Sequence, residues 1–215
     1  MKKFIISGVL ALAAISPGIA LAQFGLPSIG GSKSSGEAQA DLGGQQTALV
    51  KNFIAANTDV LKANSKIAEA LGLKDEVAKA DATVQSLSSG ATVDKDSASK
   101  AATAVGDTGG AIQAKLAEKP VLDAAAKARY AQGLVSLVSG VKRYSGLGKD
   151  VTSMGNALKN ASPMQMASLG AAAYVVQNFP GSAKDLGTTL KSAVDFARSN
   201  DIEVPADATS ALSAL

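Results

Sequence analysis

Residues 45–72 read QQTALVKNFIAANTDVLKANSKIAEALG, and their spacing decides the fold. Leu49, Phe53, Ala56, Val60, Ile67 and Leu71 keep steps of four and three, broken by a polar gap at Asn64. Val50, Ile54, Leu61 and Ala68 widen the stripe. Such steps place apolar side chains on one face of a helix with 3.6 residues per turn. Gly72 offers a left-handed stop.

The same period runs on towards the C-terminus. Asp75 to Leu87 forms a weaker second helix through Val77, Ala80, Val84 and Leu87. Asp94 to Lys119 is alanine-rich, with Asp94 or Asp96 as N-cap. Gly106, Gly109 and Gly110 each weaken its middle by about 1 kcal/mol relative to alanine, so a kink or break is expected there. Pro120 suits the first turn of the next helix, whose Tyr130, Leu134, Leu137, Val141 and Tyr144 form a core-facing stripe. A turn at Gly146-Leu147-Gly148 leads to a short helix over 150–159. Ser162-Pro163 is a start signal, a hydroxyl cap followed by proline. The helix that follows is expected to end at Pro180-Gly181, and a last helix to run from about Ser182 to Ser199. No segment alternates with period two.

These readings predict an all-α protein: a compact antiparallel helical bundle of six to seven helices over residues 45–200, with a tail over 201–215. Phe53, Val60, Leu137, Val141, Leu169 and Val176 are expected to be buried.

The N-terminus carries a different signal. Lys2 and Lys3 precede the apolar run FIISGVLALAA (4–14), and Ala20-Leu21-Ala22 has the small-x-small pattern of a cleavage site. Residues 1–22 read as a Sec signal peptide cut before Gln23, without a lipid-bearing cysteine. Export to the periplasm or the exterior is expected, with no permanent membrane span in the mature form. Residues 23–44 are rich in glycine and serine and read as a flexible leader. Phe24, Leu26 and Ile29 give it an apolar tip that could dock.

Composition removes whole classes of chemistry. The chain has no cysteine, histidine or tryptophan. Disulfides, thiolate nucleophiles and cysteine-ligated metals are therefore excluded. The commonest general base and metal ligand is missing, and serine–histidine machinery cannot be built. No cofactor and no enzymatic activity are expected. Without Lys2 and Lys3 the charge falls to 19 basic against 18 acidic side chains. That near-balance lacks the footprint of a nucleic-acid binder.

The short motifs are weak. Ser97-Ala-Ser-Lys100 and Ser139-Gly-Val-Lys142 match S-x-x-K without its companion strings. Asp94-Lys-Asp96 begins like a calcium loop but lacks the glycine and the bidentate glutamate. Gly146-Leu-Gly148-Lys149 fails the phosphate-loop spacing. Lys142, Arg143 and Lys149 nevertheless cluster near one helix end as weak anion-site candidates.

Residues 160–183 contain no acid and no base. They are expected to form a buried central helix, with membrane entry or the lining of an apolar ligand cavity as alternatives. The function expected is that of an exported, non-enzymatic helical protein that binds another envelope or extracellular macromolecule. A carrier of a lipid or other apolar ligand and a membrane-active helical protein are the alternatives.

Overall fold

The stripe of residues 45–72 lies within one long helix, α1 (Ser35–Ala70), in a computed structural model that describes residues 35–90 and 92–215. The segment expected to be a signal peptide and the apolar tip expected at Phe24, Leu26 and Ile29 lie outside the described residues. Helix α1 is followed by α2 (Lys74–Ser88), α3 (Lys95–Ala117), α4 (Ala124–Ser145) and α5 (Gly148–Lys159). Then come α6 (Pro163–Ser168), α7 (Gly170–Ser199) and α8 (Ala208–Ser213). There is no strand among the described residues. The protein is an all-α bundle.

Helix α1 is the hub, packing against α2, α3, α4, α5 and α7. Phe53, Val60 and Ile67 on its stripe are fully buried. Two glycines of α4 let it approach closely. A Cβ added at Gly133 would stand 2.7 Å from Cγ1 of Ile67, and one at Gly140 would stand 3.0 Å from Cγ2 of Val60. Asn64, the polar gap in the stripe, is also fully buried, and neither atom of its amide has a hydrogen-bond partner. Of the six residues expected in the core, five are buried, and Val176 is half-buried.

The stop and start signals act as their chemistry dictates. Gly72 takes φ of 75°, and the amide of Leu73 donates to the carbonyl of Ala68 at 2.9 Å, closing α1 in a Schellman-type turn. Asp94 caps α3 by accepting from the Ser97 amide at 2.8 Å. Asp123 caps α4 in the same way, from the Ala126 amide at 2.7 Å.

Several boundaries differ from the sequence reading. Helix α1 starts at Ser35, so residues 35–44 are helical where a flexible leader was expected; the run EAQADL there favours helix. Helix α3 does not break at its glycines. Gly109 lies where a Cβ would meet Oγ1 of Thr189 at 2.8 Å, so close packing on α7 needs a small residue. Burial of Ala98, Ala101, Ile112 and Leu116 offsets the propensity cost. Pro120 falls in the α3–α4 connection, because Lys119 takes φ of 52° and the cap is delayed to Asp123. Helix α7 continues through Pro180. That residue is exposed, while Ala172, Val175, Ala183 and Leu186 on either side share the buried face. The segment expected as a tail packs as well: Ile202, Ala208 and Ala211 are buried, and α8 contacts α4 and α7.

Candidate functional site

The charge-free stretch over 160–183 is not a central helix. It forms α6 and the first half of α7 and lies at the surface of the bundle. Its start is fixed by a capping box. The Gln165 amide donates to Oγ of Ser162 at 3.4 Å, and the Ser162 amide donates to Oε1 of Gln165 at 2.8 Å. Pro163 occupies the first turn.

Helix α6 ends at Leu169, which is 2% exposed and joins it to α7. Gln46 of α1 clamps this joint. Its Nε2 donates to the Ser168 carbonyl at 3.1 Å, and its Oε1 accepts from the Ala172 amide at 3.2 Å. One side chain thus serves a carbonyl at the end of α6 and an amide at the start of α7.

Leu169, Ala172 and Val175 face inward and hold the segment to the core. Outward, Met164 is 80% exposed and Met166 40% exposed. Ala167, Ser168, Gly170, Gln177, Asn178, Pro180 and Gly181 complete an exposed surface without a formal charge. Methionine side chains are flexible and polarisable and adapt to irregular apolar partners. Such a surface is unusual on a chain where 18% of residues are charged.

The anion-site candidates are dispersed over other contacts. Lys142 pairs with Asp207 beside α8, and Arg143 pairs with Asp59 of α1. Lys149 is exposed near the start of α5. An incoming anion would have to displace two carboxylates. The S-x-x-K strings fare no better as catalytic pairs. Lys100 donates to Ser86 at 2.7 Å, and the Ser139 hydroxyl donates to the Val135 carbonyl at 3.1 Å. No group of acids able to hold a metal ion occurs among the described residues.

The larger voids between helices are grooves open to solvent. One of about 480 Å³ lies between α2 and α3, and one of about 550 Å³ lies between α3 and α7 over Leu116 and Phe196. The core beneath is filled in part by aromatic pairs. Phe53 contacts Tyr144 at 5.8 Å between ring centroids, and Tyr130 contacts Phe196 at 5.3 Å. No family model, curated protein or solved structure matches this chain.

Sequence reasoning found the charge-free stretch but placed it in the core. Its outward face was legible in principle. The polar Gln165, Ser168, Gln177 and Asn178 mark one side, and Leu169, Ala172 and Val175 mark the other. The clamp by Gln46 carries no local sequence signal, because it joins residues more than 120 positions apart.

Proposed function

We propose that the protein is an exported, non-enzymatic helical bundle that binds another macromolecule through the exposed face of α6 and the first half of α7. The observation that carries this reading is the exposure of Met164 and Met166 on a rigidly capped, charge-free surface. An exposed apolar patch rimmed by polar groups is the usual form of a protein-binding site. The capping box and the Gln46 clamp hold the face in one conformation, which lowers the entropy lost on binding. The absence of histidine and cysteine from the chain supports a binding role over a catalytic one.

Replacing both methionines with lysine tests the proposal. Such a pair of charges costs a desolvated interface several kilocalories per mole while leaving the bundle folded, since both side chains are exposed. Wild-type protein immobilised from an exporting host should retain an envelope component that the double variant loses. Equal retention by both would refute this face as the binding surface.

The membrane-active alternative has less support. No helix among the described residues is long and apolar enough to cross a membrane. The carrier alternative is less favoured because the larger grooves open to solvent and are lined by mixed polar and apolar side chains.

A further inference from the structure

Oxidant-sensitive chemistry in this chain is confined to few atoms. Cysteine, histidine and tryptophan are absent, and the only sulfur is that of four methionines. Met154, Met164 and Met166 fall among the described residues. Met154 of α5 is 2% exposed and belongs to the core. Met164 and Met166 of α6 are the exposed pair. Of the three tyrosines, Tyr130 and Tyr144 are buried and Tyr174 is half-buried. An oxidant arriving from solvent therefore meets the two thioethers of α6 first.

Both sulfurs stand where a change of polarity is tolerated by the fold and felt by the surface. Helix α6 buries none of its own residues. Its conformation is set by the Ser162–Gln165 capping box and by Gln46 at the joint, and none of these hydrogen bonds involves a sulfur. Oxidation leaves them intact. It turns a flexible apolar side chain into a polar one with an S=O acceptor. Met164 and Met166 are the only exposed large apolar side chains of residues 160–183, so two sulfoxides remove the apolar character of that face. A sulfoxide at Met154 would instead place an unpaired polar group in the core, at the expense of the fold.

We infer that Met164 and Met166 form a reversible oxidation site that switches the α6 face from apolar to polar and so releases its partner, an inference that rests on the binding role proposed for that face. The oxidant class is a hypohalous acid. Each sulfur gives up two electrons and takes the oxygen atom of hypochlorous acid, the chlorine leaves as chloride and the proton passes to water. Reversal draws two electrons from the thiols of a methionine sulfoxide reductase, which become a disulfide while the oxygen leaves as water. The chain has no thiol of its own to supply those electrons.

The test treats the purified protein with a small molar excess of hypochlorous acid, quenched with free methionine. Peptide mass mapping should find one added oxygen on Met164 and on Met166 and none on Met154. The melting temperature should stay within about 2 °C of the untreated value, the range of a surface change. On a hydrophobic-interaction column the treated protein should elute earlier. Incubation with methionine sulfoxide reductases and dithiothreitol should restore both mass and elution. A variant carrying Met164→Leu and Met166→Leu has neither sulfur, so its elution should not move on treatment. Immobilised and exposed to an envelope extract of the exporting host, the treated wild type should retain its partner about tenfold less than the untreated protein, and the reductases should restore retention. Oxidation of Met154 ahead of the α6 pair, or unfolding when the pair is oxidised, overturns the inference. Failure of the binding role shows separately. Equal retention by the untreated wild type and the variant with both methionines replaced by lysine removes the face, and the switch with it. Loss by the lysine variant with full retention by the treated wild type keeps the face and overturns the switch alone.

Discussion

The ring of Phe179 in α7 lies parallel to that of Tyr144 in α4, with 2° between the planes and 4.9 Å between the centroids. This stack stands one residue before Pro180, where the helix loses a backbone hydrogen bond. It ties α7 to α4 beside the proline. Phe179→Ala should therefore cost about 2–4 kcal/mol, combining a truncated aromatic with a lost ring pair. Chemical denaturation of the variant measures it; a loss under about 0.5 kcal/mol would show that the stack does not support the helix.

Burial of Tyr130 and Tyr144 raises both phenol pKa values above their ordinary 10.0. Tyrosine is charged when deprotonated, so the folded state holds its phenolic protons to higher pH than the unfolded chain. Stability from these groups is complete below about pH 10 and falls above it, by up to about 1.4 kcal/mol per pH unit for each tyrosine. Tyr130→Phe and Tyr144→Phe should each flatten the alkaline decline in urea midpoints. An identical decline in wild type and both variants would contradict the assignment.

At neutral pH the two tyrosine variants should part. The Tyr130 hydroxyl donates to the Ala193 carbonyl at 3.1 Å, so its removal should cost about 1 kcal/mol. The Tyr144 hydroxyl is buried without a hydrogen-bond partner, with Ser182 close by. Its removal should be neutral or slightly stabilising.

Gly106 of α3 and Gly133 of α4 have opposite roles. Gly133→Ala would drive a Cβ to 2.7 Å from Ile67 and 3.1 Å from its backbone nitrogen. Overpacking of this kind costs about 1–3 kcal/mol and outweighs the gain in helix propensity. At Gly106 a Cβ meets nothing within 4 Å, so Gly106→Ala should stabilise by about 0.5–1 kcal/mol. Paired thermal melts check the contrast, and a stabilised Gly133→Ala would remove the close α1–α4 approach from the account.

These glycines show what the sequence could and could not convey. The stripe of α1, the cap at Asp94 and the start at Ser162-Pro163 rest on local spacing and local hydrogen bonds, and all three were legible. Gly106, Gly109 and Gly110 suggested a break, because propensity is local while the contact between Gly109 and Thr189 is not. Pro180 suggested a stop for the same reason: the shared buried face of α7 is set by neighbours remote in sequence. Met164 and Met166 are apolar and so read as core. Their exposure follows from the joint at Leu169, held by Gln46 from across the fold.

Ala172 tests the buried side of the charge-free segment. It is fully buried in the first turn of α7 beside the Gln46 clamp. Ala172→Asp places an unpaired charge there and should cost more than about 3 kcal/mol. If the segment were held in reserve for membranes, the fold would survive the change and liposome binding would be lost. Thermal melting with dye release separates the cases, and efficient release by the wild type would favour the membrane-active alternative.

The most direct test of the proposed binding role is site-specific photocrosslinking in an exporting host. A photoreactive residue replaces Met164 in one protein and the exposed Lys191 of α7 in another. The account predicts discrete higher-mass adducts from position 164 that are absent from position 191. Adducts of equal yield at both positions, or none at 164, would contradict it.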